Sequence, residues 1–382
     1  MKKAAAVLLC AVIALVAAGC WSSGELNEFA FVVGVAVDQG SAPENILLTV
    51  QVAKPSGFKS SINGGGSDEE AYWNISNEGE TLFNTVRGFT HESGRKLDFQ
   101  HNTILIYSRD IAKKGLGDCM DLFIRDHEFR TSTWIAIANE RAADVFGVDA
   151  GLETLPAVEI DKMMDAQQYN SQSYTIELLD FLKRLKSDTT APIAPIISIR
   201  GEGDDQDIHI SGTAVFHKDR FIGELGGMET RGLMWVTGNV KSGIIVVNCP
   251  CDQGKAELEI FQAKSTVTPV LKDGDLSFLI EIKEKGNLGS QTCRENLAPT
   301  KKLEALSERQ NKAIKTEIEA ALKKAQELNA DIFGFGEAVY RKYPKQWKSM
   351  KDQWSEIFPT LDVEIKVQSE VYGTGNITKP VN

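Results

Sequence analysis

Hydrophobic positions along this chain repeat with period two in some stretches and near three and a half in others, and the switches outline the elements. Residues 29–37 (FAFVVGVAV) are almost wholly apolar, which predicts a strand buried on both faces and closed by the turn Asp38-Gln39-Gly40. Residues 46–53 (ILLTVQVA) predict a strand that pairs back as a hairpin. The polar, Gly/Ser-rich stretch 54–70 is read as a loop inside a domain, because structured patterns resume directly after it. Leu82, Val86 and Phe89 fall at helical spacing before Gly94; 101–107 reads as a strand and 111–125 as an amphipathic helix. Residues 134–138 (WIAIA) predict another strand, 161–185 a mainly helical stretch, and APIAP at 191–195 a break at the edge of a first domain. Strands alternating with helices argue for an α/β domain.

The second half changes character. Residues 208–216 and 220–225 predict a hairpin, 229–236 a short helix and 244–247 a strand. Two long alternating runs, 255–268 and 276–283, flank Lys272-Asp273-Gly274-Asp275, whose Asp-Gly pair is a strong hairpin signal. Residues 301–329 form the longest helical pattern, with Leu303, Leu306, Ile314, Ile318, Leu322, Ala325 and Leu328 in one stripe. That stripe is expected to pack on the preceding sheet, with a partner helix as the alternative. A helix rich in aromatics is predicted over 347–358 and a last strand over 361–372. Trp235, Trp347 and Trp354 are candidate interface anchors, with a half-buried core role as the alternative. The fold class is mixed α/β (α+β), with the long C-terminal helix on an antiparallel sheet.

The first nineteen residues follow a different rule. Lys2 and Lys3 precede a charge-free run, 4–19, too short for a permanent membrane span and laid out like a secretory leader. Ala17-Ala18-Gly19 then stands before Cys20 and resembles the bacterial lipobox, although Ala17 occupies a position usually held by Leu or a branched aliphatic. The resemblance implies cleavage before Cys20 and diacylglycerol on its sulfur. Two acyl chains hold a protein stably where one does not. No later run reaches 18 apolar residues, so the rest is expected to be tethered, not spanning.

Composition narrows the function. A chain of 382 residues with 42% hydrophobic and 25% charged residues is globular and long enough for two or three domains. Loss of the leader takes the net charge from −11 to −13, which argues against nucleic acid and against electrostatic attraction to anionic lipid. Four cysteines then remain besides Cys20, too few for a disulfide scaffold. Cys119, Cys249, Cys251 and Cys293 are expected as free thiols, with a disulfide involving Cys293 or a metal site at Cys249-Pro250-Cys251 as alternatives.

Catalytic patterns are missing. His91, His101, His127, His209 and His217 fit no zinc-protease spacing, and neither a nucleophile elbow nor a dinucleotide fingerprint occurs. Asp204-Asp205-Gln206-Asp207 lacks the central Gly and distal Glu of a calcium loop and reads as a solvated turn. Glu78 with Glu80, or Glu153 with Glu159, are acid–base pairs in name only, since nothing places them in a cleft. No cofactor, metal or catalytic residue is expected.

Several motifs carry a family resemblance. CWSSGELNEFAFVVGVAVD after the lipobox resembles the start of the Ger(x)C proteins, the lipoprotein C subunits of spore germinant receptors, with Ser22 where that family usually has Asp. Further matches are Ser93-Gly94-Arg95-Lys96, Phe123-Ile124-Arg125-Asp126, Gly212 to Phe216 with Glu229-Thr230-Arg231-Gly232-Leu233, and Asp331-Ile332-Phe333-Gly334-Phe335-Gly336-Glu337 through Phe358-Pro359-Thr360. Cys249-Pro250-Cys251 is not part of the pattern. The resemblance implies three α/β domains of unusual topology, here a leader at 1–19 and domains at 20–199, 200–252 and 253–382. It also implies a lipid at Cys20 on the outer face of the spore inner membrane. The implied partners are an A subunit and a multi-helix membrane B subunit, in a complex that senses small nutrients. Only Cys20 carries over as a site. A substrate-binding lipoprotein of a transporter is the rival reading; it requires two similar lobes about a hinge.

Overall fold

The computed structural model describes residues 26–55, 70–251 and 253–374, with Gly57 and the pair Lys3–Ala4. The rest of the leader, Cys20 and most of the loop at 54–70 lie outside them.

The first half builds a nine-stranded mixed sheet. Its strands are β1 (Phe29–Gln39), β2 (Ile46–Ala53), β3 (Tyr72–Gly79), β4 (Lys96–Asp98), β5 (Ile104–Ser108), β6 (Trp134–Ala138), β7 (Ile193–Arg200), β8 (Asp207–His217) and β9 (Arg220–Leu225). They lie in the order β3-β2-β1-β5-β6-β7-β8-β9, with β4 pairing beside β1. The centre, β1-β5-β6-β7, is parallel and the flanks are antiparallel. Parallel strands covered on both faces need apolar side chains at every position, which explains the unbroken run at 29–37. Ala36, Ile104, Ile106 and Ala136 face one core, under α4 (Ala142–Val145) and α5 (Pro156–Ala166). Val35, Val37, Leu105 and Tyr107 face the other. There they meet α1 (Leu82–Gly88), α2 (Arg109–Lys114), α3 (Gly117–Arg125) and α6 (Leu178–Lys186).

Three predicted elements are corrected here. The helix at 111–125 is two helices, because Gly115 (φ 128°) breaks it. The helical stretch at 161–185 is also two, α5 and α6, separated by an extended segment that bridges Glu177 to Trp134. APIAP does not end the sheet: Pro195 lies inside β7, at a β-bulge, where a missing N–H costs no ladder bond. β7 and β8 pair across residues 193–200 and 207–215, so the nine-stranded sheet runs on past residue 199.

The second sheet has four strands, β10 (Gly243–Asn248), β11 (Lys255–Lys272), β12 (Asp275–Gln291) and β13 (Asp362–Val371), in that order. Asp273 and Gly274, at φ 53° and 96°, form the two-residue turn that the Asp-Gly pair predicts. β13 joins β12 in parallel, so the sheet is mixed at that edge. Its inner face is covered by α7 (Gly227–Thr237) and by the 28-residue α8 (Thr300–Glu327). Leu306, Ile314, Ile318 and Ala325 are fully buried, as the stripe predicts, but α8 packs on α7 as well as on the sheet. The aromatic segment forms α10 (Pro344–Met350) and α11 (Trp354–Ile357), following α9 (Phe335–Lys342). The two sheets differ in size, order and covering helices, unlike a pair of similar hinged lobes. Among the described residues no helix is long and apolar enough to cross a membrane.

Candidate functional site

The sequence-predicted chemistry is dispersed. Among the described residues no three His, Cys, Asp or Glu side chains cluster as metal ligands. His101 packs edge-on against Phe31, and His127 is exposed beside Asp126. Glu78 is a turn brace: its carboxylate accepts from the Ser41 hydroxyl (2.5 Å) and the Asn45 amide (2.8 Å), which hold it below the usual carboxylate range. Cys249 and Cys293 form a disulfide, so the expectation of free thiols is corrected for both; Cys119 is free and buried, Cys251 free and exposed. The bond joins the end of β10 to the segment after β12, two points that sheet pairing already brings close. Trp235, Trp347 and Trp354 are buried, at 7% exposure or less, so they are core residues and not interface anchors. Cys20 lies outside the described residues.

The family motifs converge on structural joints. Asp38, which ends the first apolar strand, accepts from the backbone N–H of Ala142 (2.7 Å) and Ala143 (2.9 Å) and so caps α4. Burial pushes its carboxyl above the usual range and the two donors pull it back. Asp331 makes the same device more fully. Its carboxylate accepts from Gly334 and Gly336 at 2.8 Å and from Phe335 at 3.0 Å. Gly334 takes φ 78°, a left-handed turn that starts α9. A Cβ on Gly336 would stand 2.7 Å from the Thr189 side chain. The Asp331 carbonyl accepts from Ala191 N–H, and Thr190 bridges to Asp331 in parallel. Arg184 donates to the carbonyls of Ala191 and Ile332, both at 3.0 Å. The motif DIFGFG is therefore a clasp that fixes the second sheet to the loop entering β7.

The motif ETRGL forms a second joint. Arg231 and Trp235 on α7 both bond the Glu317 carboxylate on α8, Trp235 Nε1 at 2.8 Å and Arg231 Nε at 2.9 Å. Between them a Cβ on Gly232 would stand 2.0 Å from the Glu317 carbonyl, so only glycine admits this helix crossing. The Thr213 and Thr230 hydroxyls meet at 3.0 Å and tie β8 to α7.

Two open clefts matter by their position. One, of about 510 Å³, lies at the clasp and is lined by Lys186, Asp188, His217, Lys218, Lys351 and Asp352 among others, with a Lys351–Asp188 ion pair at 2.7 Å. The other, of about 610 Å³, lies where the described chain begins, beside Asn27, Lys54, Trp73 and Arg95. Neither brings a nucleophile and a base together.

Comparison with known proteins fits this picture. The family described as "Spore germination protein N-terminal domain" matches residues 22–199, and "Spore germination B3/GerAC like, C-terminal" matches 211–375. Spore germination protein KC of Bacillus subtilis (strain 168) is 25% identical over 402 residues, covering 100% of this chain and 98% of its own length. Spore germination protein B3 of the same organism is 23% identical over 385 residues, 99% of this chain and 100% of its own. Among solved structures, the GerBC protein superposes with a TM-score of 0.60 at 18% identity, over 92% of this chain and 100% of that one, which establishes the shared fold. With those two models spanning nearly all of it beyond the leader, the chain belongs to the GerAC-like family of spore germination proteins.

Proposed function

We propose that this protein is the lipid-anchored subunit of a nutrient germinant receptor, held on the outer face of the spore inner membrane by acyl chains on Cys20. The observation that carries the reading is the family match, which runs almost from Cys20 to the end of β13. The apolar leader ending in small residues before Cys20 supports the anchor. The role is binding and scaffolding, not catalysis: the buried polar groups of the family motifs are spent on caps and helix joints, and relatives carry germination names with no enzymatic activity in them. The partners are the receptor's A and B subunits, with the nutrient sensed by the assembly. Spores lacking the gene, or carrying Cys20→Ala, are expected to release dipicolinic acid slowly or not at all toward one class of nutrients while responding normally to others. Release at the parental rate toward every amino acid, sugar and salt in the panel would sink the reading.

A further inference from the structure

We infer that the end of the nine-stranded sheet nearest residue 26 seats on the phospholipid surface, with Trp73 entering the headgroup–acyl boundary and Lys54 and Arg95 over the phosphates. The inference rests on the anchoring reading above, and chain length carries it further. Leu26 lies six chain steps after Cys20, a reach of at most about 20 Å. The first described residues therefore lie close to whatever surface holds the acyl chains. β1 starts at that end, β2 finishes there and β3 begins there, since Val32 and Trp73 both register against Val52. The cleft of about 610 Å³ opens at the same end, between Asn27, Val52, Lys54, Trp73, Ser93 and Arg95.

The side chains suit a headgroup layer. Trp73 is 41% exposed, whereas Trp235, Trp347 and Trp354 are 7% or less. An indole presents a broad apolar body and one N–H donor, the combination that concentrates at membrane interfaces. Lys54 and Arg95 flank it, with Glu92 on the same rim and the exposed Glu70 just before β3. The mature chain's charge of −13 repels an anionic surface as a whole, so a seat must present cations locally. A weak contact suffices, because the tether converts it into an intramolecular one with a high effective concentration. The opposite end of β1, ten residues on, lies roughly 33 Å away along the strand.

The test uses the full lipidated chain carrying Trp21→Phe, reconstituted in vesicles of brominated phosphatidylcholine and phosphatidylglycerol. Flotation first reports anchoring. Bromine is expected to quench a share of the tryptophan emission, and Trp73→Phe is expected to abolish that share. A tryptophan introduced by Glu44→Trp, in the exposed turn after β1, is expected to escape quenching. Protein that floats but is quenched equally with and without Trp73 overturns the seat alone. Protein that fails to float overturns the anchoring reading and the seat with it.

Discussion

At the scale of single residues, the most consequential group is Glu284. It sits on the inner face of β12, 1% exposed, beside the Gln310 amide of α8 and the Ser369 hydroxyl of β13, with neither in hydrogen-bond geometry to its oxygens. Burial pushes its carboxyl up from 4.5 to about 7, with Ser369 and Gln310 pulling the other way. The folded state thus keeps a proton that the unfolded chain gives up near 4.5. Stability from this group is highest below that pH, falls as the pH rises toward 7 and stays low above it, by up to about 3 kcal/mol. Glu284→Gln removes the titration. Its urea midpoint is expected to match wild type near pH 5 and to exceed it near pH 8; an equal difference at both pH values refutes the account. Asp331 tests a different quantity. Asp331→Ala leaves three N–H groups, two of them buried, without an acceptor and is expected to cost about 3 kcal/mol in equilibrium unfolding, whereas Asp331→Asn keeps one acceptor oxygen and loses less.

At the scale of elements, periodicity was informative wherever one face of an element alone is buried. The stripe on α8 and the hairpin at Asp273-Gly274 are both legible for that reason. Periodicity failed where a polar side chain belongs to the core. Gln310 and Glu317 lie in the buried stripe of α8; Gln310 faces Glu284 of β12, and the donors to Glu317 come from α7, all distant in sequence. A disulfide at Cys293 was among the readings of the sequence, but its partner was not legible: Cys249 and Cys293 stand 44 residues apart, and only the β10-β11-β12 order brings them together. Trp347 and Trp354 looked exposed because their short helices carry many charges, yet the two rings are buried and pack against each other at 5.3 Å. Closing a loop of that length contributes about 4 kcal/mol through the unfolded chain. Cys293→Ala is therefore expected to lower the unfolding midpoint clearly, and reductant to lower the wild type by a similar amount. A reductant-insensitive midpoint would count against the bond.

At the scale of the whole molecule, one apolar core runs without interruption from Val35 in the first sheet through Phe216 and Trp235 to Ile280 and Phe358 in the second. The two sheets therefore share buried surface and are expected to unfold as one unit, although no hinge or repeat in the sequence announces it. Arg184 is one polar link in that continuity. Its guanidinium holds Ala191 and Ile332, one on each side of the joint, and lies 5.6 Å from the Tyr174 ring. Truncation leaves two carbonyls without donors at the seam while leaving each sheet's own packing intact. Tryptophan emission weights the second half, where Trp235, Trp347 and Trp354 are buried and lose that burial on unfolding, over the first sheet, where Trp73 and Trp134 are already partly exposed. In wild type, urea curves followed by tryptophan fluorescence and by far-ultraviolet circular dichroism are expected to coincide. In Arg184→Ala they are expected to separate, because a weakened seam lets one half open before the other. Coincident curves in the variant, merely shifted to lower urea, would mean that the shared apolar core alone couples the sheets and that the clasp adds only stability.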